Sequence, residues 1–459
     1  MIKMRNKIFA AITAVVCLNS CHVYKAYERP EINVSDSLFR NTDSIGSDTA
    51  SLASLSWREL FRDSELQKLI ELGLKNNADI NIAGLKVKEA EARLLSSKLS
   101  FLPSLSLTPQ GNINKAEGMP SAKSFTLAAS AQWEIDAFGK QLSRKRGAAS
   151  DVFQAEAYRQ AVQTELIAMI ANNYYTLLML DSQADIARKT CDNWKESVRT
   201  MKGLMRAGEA DLMAVKQTEA NLFAVEASLV DIEQQINEVE NSLSTLLGMP
   251  AQGIVRTSLE SQYFPEKLST GVPLNMLSNR PDVRGMEMKL ASAFYNTETA
   301  RSAFYPSITL GGNAGWTNNA TGRIKNPAQW LFSAIGSVVQ PIFNKGTNIA
   351  NLKIAEAKQQ EALIAFQQSI LDAGKEVNNA LMQWQSAGKR IELDEKQVAS
   401  LNSALKSSEL MMKYSSQNYL AVINARQALL KAEMDVVTDR FDKIQGIINL
   451  YHALGGGSK

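Results

Sequence analysis

Few side chains in this 459-residue sequence have the types and spacing that catalysis or metal binding needs. Histidine occurs only at His22 and His452, so there is no histidine cluster for zinc or for a catalytic triad. No Walker-type glycine loop is present, so any energy must come from a partner. Arg280 and Asp282 flank Pro281 and resemble an acid-base pair, but this arrangement is more typical of a helix start that is capped and anchored. The sequence therefore predicts no enzyme, no cofactor and no metal site.

One cysteine is placed for covalent modification. A basic N-terminus and an apolar run over residues 8–18 are followed by small residues and Cys21, the layout of a secretory signal peptide over residues 1–20. The site resembles a bacterial lipobox, in which Cys21 would be lipidated, for example with palmitate; an ordinary cysteine beside a cleavage site is the alternative. A single lipid anchor holds weakly, so we expect a second membrane contact. Cys17 leaves with the signal and Cys191 is alone, which excludes a disulfide framework.

The overall charge excludes another class of partner. The net charge is +3 and 21% of the residues are charged. A basic surface of the size that nucleic acids require is absent, and so is an acidic tail. We expect no nucleic-acid partner.

A unit of roughly 200 residues occurs twice in the chain. We call the two occurrences copy 1 (residues 63–248) and copy 2 (residues 274–455). Equivalent residues recur at offsets of 203 to 208 positions, and the pairs are Asp79 with Asp282, Pro103 with Pro306, Leu212 with Leu420, and Gly248 with Gly455.

Two long intervals contain no proline, residues 121–249 and 342–459. Because an interior proline costs a helix about 3 kcal/mol, these intervals can hold very long helices. Apolar spacing predicts helices over residues 148–205, 211–247, 349–412 and 419–451. A helix of about 60 residues is about 90 Å long. Each copy is thus expected to form a long helical hairpin.

Apolar and polar residues alternate with a period of two over residues 124–136 and 307–316, and less regularly over 330–339. Such alternation predicts strands with one apolar face, and residues 102–114 form a plausible partner strand. Trp133, Trp316 and Trp330 could form an aromatic belt at a membrane interface, or lie in the core of a soluble sandwich. Four strands cannot close a transmembrane barrel, because hydrocarbon does not tolerate an open sheet edge. The first interpretation therefore requires oligomers.

The most specific motif lies at the start of copy 2. Residues 272–283 read Val-Pro-Leu-Asn-Met-Leu-Ser-Asn-Arg-Pro-Asp-Val, and residues 304–308 read Phe-Tyr-Pro-Ser-Ile. The joints from strand to helix are residues 133–140 and 340–346. In order, spacing and duplication these motifs resemble the TolC-like outer-membrane efflux channels, in particular the lipoprotein branch that works with RND-type pumps. The resemblance covers about residues 57–455.

The resemblance implies a mainly α fold with a small β part. Long antiparallel helical hairpins would form an α-barrel, and a homotrimer with four strands per chain would complete a 12-stranded transmembrane β-barrel. Such a barrel is intermediate between eight-stranded barrels, which fill with side chains, and sixteen-stranded ones, which leave a water channel. The resemblance also implies structural roles, and not functional ones, for seven residues of the motifs: Arg280, Pro281, Asp282, Pro103, Pro306, Gly139 and Gly346.

The predicted domain order follows the duplication. It is a signal peptide (1–20), a lipidated segment and equatorial belt (21–62), copy 1 (63–248) with strands within 101–137 and a hairpin tip near 207–212, an equatorial linker (249–273), copy 2 (274–455) with strands within 304–343 and a tip near 414–420, and a flexible tail (456–459).

The implied function is a passive export conduit from the periplasm to the exterior. Its partners would be a periplasmic adaptor protein, an inner-membrane RND-type pump and lipid of the Gram-negative outer membrane. The hairpin tips would form the gate and the adaptor contact, through Gly208, Asp211, Leu212, Asn418, Tyr419 and Leu420. Copy 2 departs from the family pattern, with Ser415 in place of a glycine and with Ala421 and Asn424 where relatives carry acidic residues. Asp211 is therefore the candidate acidic residue of the tips; a plain helix N-cap is the alternative. The alternatives are a type I secretion duct and a coiled-coil scaffold lipoprotein without a pore.

Overall fold

The computed structural model describes residues 25–30, 55–115, 117–119, 121–264, 280–318, 329–414 and 419–457. The predicted signal peptide, Cys21 and Asn418 lie outside the described residues. The described α-helices are α1 Trp57–Leu60, α2 Ser64–Asn76, α3 Ala78–Leu99, α4 Lys140–Arg206, α5 Leu212–Leu246, α6 Pro281–Ser302, α7 Thr347–Tyr414 and α8 Tyr419–Ala453. The described strands are β1 Ser104–Asn114, β2 Ala122–Ile135, β3 Ser307–Asn318 and β4 Gln329–Val339.

The predicted long helices are present, and α4, α7 and α8 are longer than the apolar spacing indicated. Helix α4 has 67 residues and α7 has 68, whereas α5 and α8 have 35 each. Helix α4 starts at Lys140 rather than near residue 148, because the carboxylate of Asp136 accepts hydrogen bonds from the backbone N–H groups of Gln141 and Leu142 at 3.0 and 2.8 Å. Those bonds satisfy orphan donors of the first helical turn.

The four strands form one antiparallel sheet in the order β1, β2, β3, β4. Its central pairing joins the copies, since β2 belongs to copy 1 and β3 to copy 2. One face carries exposed apolar side chains, among them Leu107, Trp330 and Phe332 at 67, 61 and 73% exposure. The other face carries hydroxyl pairs, with Ser106 Oγ 2.7 Å from Ser130 Oγ and Thr126 Oγ1 3.0 Å from Thr317 Oγ1. In β4 this face also carries the exposed apolar side chains of Leu331 and Ile335.

The chain divides into two compact units, each of which draws segments from both copies. The first contains Leu85–Ala157, Arg284–Gln368 and residues 25–30, and so holds the whole sheet. The second contains Tyr158–Val283, Ser369–Lys459 and the described part of Asn33–Gly84, and so holds both hairpin tips. No helix in the described ranges is both long and apolar enough to cross a bilayer.

In the second unit, the segment around residues 250–264 is fixed to the long helices by polar side chains. Asp63, the N-cap of α2, accepts hydrogen bonds from Tyr174 Oη at 2.7 Å and Gln262 Nε2 at 3.0 Å. Burial raises the pKa of Tyr174 to about 12, so its hydroxyl remains a donor. Arg256 donates to Asp181 at 2.9 Å and also to Glu240.

The predicted flexible tail is wrong for Gly456 and Gly457, which are buried. The N–H of Gly456 donates to Tyr451 O at 2.9 Å, and Gly457 O accepts from Gln163 Nε2 at 3.0 Å. A Cβ on Gly456 would lie 2.4 Å from Tyr451 Cε2. Glycine is therefore present here because the backbone lies close against an aromatic ring, and not because the segment needs freedom.

Candidate functional site

In each copy, the end of the last helix meets the start of the helix that precedes the first strand. We call the contact of α5 with the start of α3 closing joint 1, and the contact of α8 with the start of α6 closing joint 2. In closing joint 1, Asn77 is 5% exposed and precedes α3. Its Oδ1 accepts from the N–H groups of Asp79 and Ile80 at 2.8 and 3.2 Å, which is an N-cap. Its Nδ2 donates to Leu246 O, at the end of α5, at 2.9 Å.

Closing joint 2 uses a charged side chain in the same place. Arg280 donates to Ala453 O, at the end of α8, at 2.7 Å, and to Asp282 through two nitrogens at 3.0 and 2.7 Å. It also donates to Glu376 of α7 at 2.7 Å. Pro281 occupies the first position of α6, where a missing N–H costs nothing. The interpretation of Arg280 and Asp282 as a helix anchor agrees with these contacts.

The titration of closing joint 2 follows from these contacts. Burial acts to raise the pKa of Asp282, but the hydrogen bonds and charge of Arg280 outweigh it and hold that pKa below 3.8. Burial likewise acts to lower the pKa of Arg280, and its bonds to Asp282 and Glu376 outweigh burial and raise it. Both groups are therefore charged at neutral pH.

The joints between strand and helix are also repeated. Trp133 Nε1 donates to Phe101 O at 2.9 Å in copy 1, and Gln340 Nε2 donates to Phe304 O at 3.0 Å in copy 2. The structural residues predicted here lie at these joints: Pro103 and Pro306 directly precede β1 and β3, and Gly139 and Gly346 have φ of 72° and 78° before α4 and α7.

The tip of the first hairpin is a glycine turn followed by a capped helix. Gly208 has φ of 80°, a conformation that favours glycine at a helix C-terminus. Asp211 is the N-cap of α5, and its Oδ1 accepts from Ala214 N at 2.7 Å. Leu212 is 61% exposed, whereas Val215, one turn later, is 2% exposed. The tip thus presents a leucine on a rigid, capped turn.

The described part of the second tip packs against the first. Tyr419 and Met412 contact the buried cluster formed by Met201, Ala214 and Val215. Leu420 is 49% exposed. The structure therefore brings Tyr419 to the turn that Asp211 caps.

A residue that the sequence did not single out, Arg426 of α8, connects three long helices above the tips. It donates to Asn193 O of α4 at 3.0 Å, to Ser197 Oγ, and to Glu409 of α7 at 2.7 Å. Its guanidinium also lies 5.9 Å from the centroid of the Trp194 ring. A lone arginine on a helix usually marks a solvated face, so no sequence signal distinguished it.

The first hairpin has a second polar clamp close to its tip. Glu219 of α5 lies 2.8 Å from Lys202 of α4 and 2.8 Å from Lys216. Hydrogen bonds from the two lysines lower the pKa of Glu219 from 4.5 to about 2. The carboxylate therefore remains charged throughout the physiological pH range.

These features are joints, caps and clamps, and none is arranged around a reacting atom. Within the described ranges no group of three or more histidine, cysteine, aspartate or glutamate side chains is placed to hold a metal ion. What the chain does present is an apolar sheet face, a polar sheet face and two adjacent helical tips.

The comparisons with known proteins agree with this architecture. The model of the outer membrane efflux protein family matches residues 69–249 and 272–456, so both copies match. The cation efflux system protein CusC of Escherichia coli is 27% identical over 449 residues, covering 96% of this chain and 97% of that protein. The antibiotic efflux pump outer membrane protein ArpC of Pseudomonas putida is 27% identical, covering 99% and 96%. The open state of the MtrE outer membrane channel of Neisseria gonorrhoeae superposes with a TM-score of 0.86 at 27% identity, covering 95% and 98%.

The chain belongs to the outer membrane efflux protein family. It is an outer-membrane channel of the efflux type and not an enzyme, and the predicted resemblance and fold class are confirmed.

Proposed function

We propose that three copies of this chain enclose one continuous duct, through which a periplasmic adaptor and an inner-membrane RND-type pump export their cargo. The observation that carries this proposal is the sheet. Its outer strands β1 and β4 are paired on one side only within the described chain, and β1 is exposed along its full length. An unpaired edge is costly in hydrocarbon, and further copies of the sheet remove it.

The two faces of the sheet support this arrangement. The apolar face, with Trp330 and Phe332, suits lipid, and the hydroxyl face suits water. Trp316 and Trp330 touch with ring centroids 5.4 Å apart, as expected of an aromatic belt at an interface.

The cargo is selected by the partner pump and not by the wall. Two relatives with the same 27% identity carry different cargo in their names, cations for CusC and antibiotics for ArpC. The overall identity of this chain to the two relatives is equal, so it gives no reason to assign either cargo to this wall.

The tips supply the gate and the adaptor contact. Gly208, Leu212 and Leu420 form the docking surface, and Asp211 with Tyr419 holds the resting tip closed. The packing of Tyr419 against the cluster of Met201, Ala214 and Val215 supports this role. Cys21 carries the lipid anchor, which labelling with radioactive palmitate in the wild type and in Cys21→Ser tests directly.

Planar-bilayer recording tests the duct and the gate together. We expect purified trimers to conduct ions, and Asp211→Ala and Tyr419→Ala to raise the open probability. Asp211→Asn is the matched control for capping, because asparagine also caps helices but carries no charge. Monomers without conductance would contradict the duct, whereas unchanged gating in both alanine variants would contradict only the proposed gate.

A further inference from the structure

The internal duplication indicates how the outer strands of the sheet pair between subunits. We propose that β4 of one subunit pairs antiparallel with β1 of the next subunit in a single register, in which Ser337 lies opposite Gln110 and Ala334 opposite Ile113. This inference rests on the proposed trimer and specifies how its subunits join.

The register follows from offsets that the structure repeats within one chain. Moving a β1 residue forward by 203 positions gives its equivalent in β3, and moving a β2 residue forward by 207 gives its equivalent in β4. The pairing of Ser104 with Gln132 then corresponds to the observed pairing of Ser307 with Val339. In both pairs the serine Oγ donates to the opposite carbonyl, at 3.2 and 3.4 Å.

Bonds outside the sheet obey the same offsets. The bond from Trp133 to Phe101 O corresponds to the bond from Gln340 to Phe304 O. The two closing joints correspond as well, since Asn77 and Leu246 map onto Arg280 and Ala453. The duplication is therefore a symmetry of contacts and not only of sequence.

The pairing that carries over to the subunit boundary is that of β2 with β3. Inside the chain, Ser130 pairs with Asn313, and Leu127 pairs with Trp316. The same offsets turn the first pair into Ser337 with Gln110 and the second into Ala334 with Ile113. In a closed ring, copy 1 and copy 2 alternate around the barrel. The pair of β4 with β1 of the next subunit then joins one copy to the next, as the pair of β2 with β3 does inside the chain, so the two pairs must have the same register.

The lengths of the strands point to the same neighbour. Strand β2 continues through Ile135, and its last three residues pair only with β3. Strand β4 ends at Val339, the last residue opposite β3. The equivalents of the extra residues of β2 are residues 340–342, and Ile342 is 97% exposed. The register places these three residues opposite Leu107, Ser106 and Leu105 of the next subunit.

Side-chain chemistry is consistent across the proposed boundary. Even residues of β4 and odd residues of β1 both lie on the apolar face, and the register joins even to odd. The hydroxyl contact between Thr126 and Thr317 becomes a contact between Ser333 and Asn114, which also forms a hydrogen bond. Pro109 and Pro341 have no N–H to donate. Because Pro341 lies opposite Ser106, three positions from Pro109, only one of the two prolines faces this boundary, which is expected to lack one ladder bond and to be slightly weaker than the boundary inside the chain.

Disulfide trapping between differently tagged chains tests the register. One chain carries Gln110→Cys and the other Ser337→Cys; a second matched set, Ile113→Cys with Ala334→Cys, samples the opposite face and so the other type of antiparallel pair. The control set, Thr108→Cys with Ser337→Cys, keeps the same face but is displaced by two residues. We expect mild oxidation to link at least one matched set into mixed dimers, and the displaced set to link about tenfold less.

The outcomes separate the register from the proposed function. More linking in the displaced set than in both matched sets, or trimers in which neither matched set links, would overturn the register and leave the trimer intact. Monomers in detergent by light scattering, for the parent chain without engineered cysteines, would overturn both.

Discussion

In closing joint 1 the neutral amide of Asn77 reaches the carbonyl of Leu246, and in closing joint 2 the guanidinium of Arg280 reaches the carbonyl of Ala453. The backbone positions are equivalent, but the chemistry is not. Asn77 connects two helices, α3 and α5, whereas Arg280 also reaches Glu376 of α7 and so connects three. The duplication has kept the geometry of the joint while copy 2 added an ion pair to it.

This difference indicates which joint depends more on a single side chain. An amide that is lost leaves a few hydrogen bonds unmade. Loss of the buried Arg280 leaves a carbonyl and two carboxylates without their donor, and hydrogen bonds to charged groups contribute more than the neutral bonds of an amide.

The largest expected effect is therefore that of Arg280→Ala. We expect a loss of about 3–4 kcal/mol, because the buried Arg280 donates to a carbonyl and to two carboxylates, while water recovers part of the loss at the carboxylates, which are 46 and 44% exposed. The measurement is the urea midpoint of the detergent-solubilised protein. Arg440→Ala is the matched control, since Arg440 lies 3.0 Å from Glu395 on the surface and its loss should cost about 0–1 kcal/mol. Equal costs for the two variants would show that closing joint 2 is not a buried anchor.

The glycines that follow the two closing helices give the next comparison. Gly248 and Gly455 have φ of 67° and 79°, so alanine costs about 1–2 kcal/mol at either position. A Cβ at Gly248 would lie 2.9 Å from Asn76 O, whereas at Gly455 it would lie 3.4 Å from Arg280 Cα. We expect Gly248→Ala to cost about 2–4 kcal/mol because overpacking adds to the strain. Urea midpoints check the order, and a greater loss in Gly455→Ala would reverse it.

Asn77→Ala should cost about 1–2 kcal/mol, less than Arg280→Ala or Gly248→Ala, since it removes an N-cap and one bond to a carbonyl. Asn77→Ser separates the two contributions. Serine also caps helices through its side-chain oxygen, but its side chain is too short to replace the bond from Asn77 Nδ2 to Leu246 O. We expect Asn77→Ser to lie between wild type and Asn77→Ala in urea midpoint. A value at or below that of Asn77→Ala would show that the cap contributes little.

How far the sequence predicted these features depends on the range of the interaction. The long helices and strands follow from proline-free intervals and apolar period, both of which are local. The helix-anchoring role of Arg280 and Asp282 is also local, two positions apart. The partners Glu376 and Ala453 lie 96 and 173 positions from Arg280, and no local pattern indicates them.

Two residues show most clearly where prediction from the sequence fails. Arg426 gains its role only from Asn193, Ser197 and Glu409 on other helices. Gly456 resembles a linker residue in sequence, but the ring of Tyr451 occupies the space that a side chain would need. In both cases the deciding neighbour comes from the fold, so composition alone gave no signal for the first and the wrong one for the second.

The smallest expected effect distinguishes the two joints by pH. Asp282 has a lowered pKa, so its ion pair with Arg280 stabilises the fold at pH values above the ordinary 3.8 and is lost as the pH falls through the folded-state value. In Arg280→Ala the hydrogen bonds and charge of Arg280 no longer lower the pKa of Asp282, so that pKa rises and more of the carboxyl is neutral in acid. The cost of Arg280→Ala should therefore be smaller at about pH 3 than at about pH 7. Asn77 does not titrate, so the cost of Asn77→Ala should stay the same at both values. Urea midpoints of the three proteins at each pH measure this difference, and an equal change in both variants would mean that the ion pair of copy 2 adds nothing to the joint that the amide of copy 1 does not.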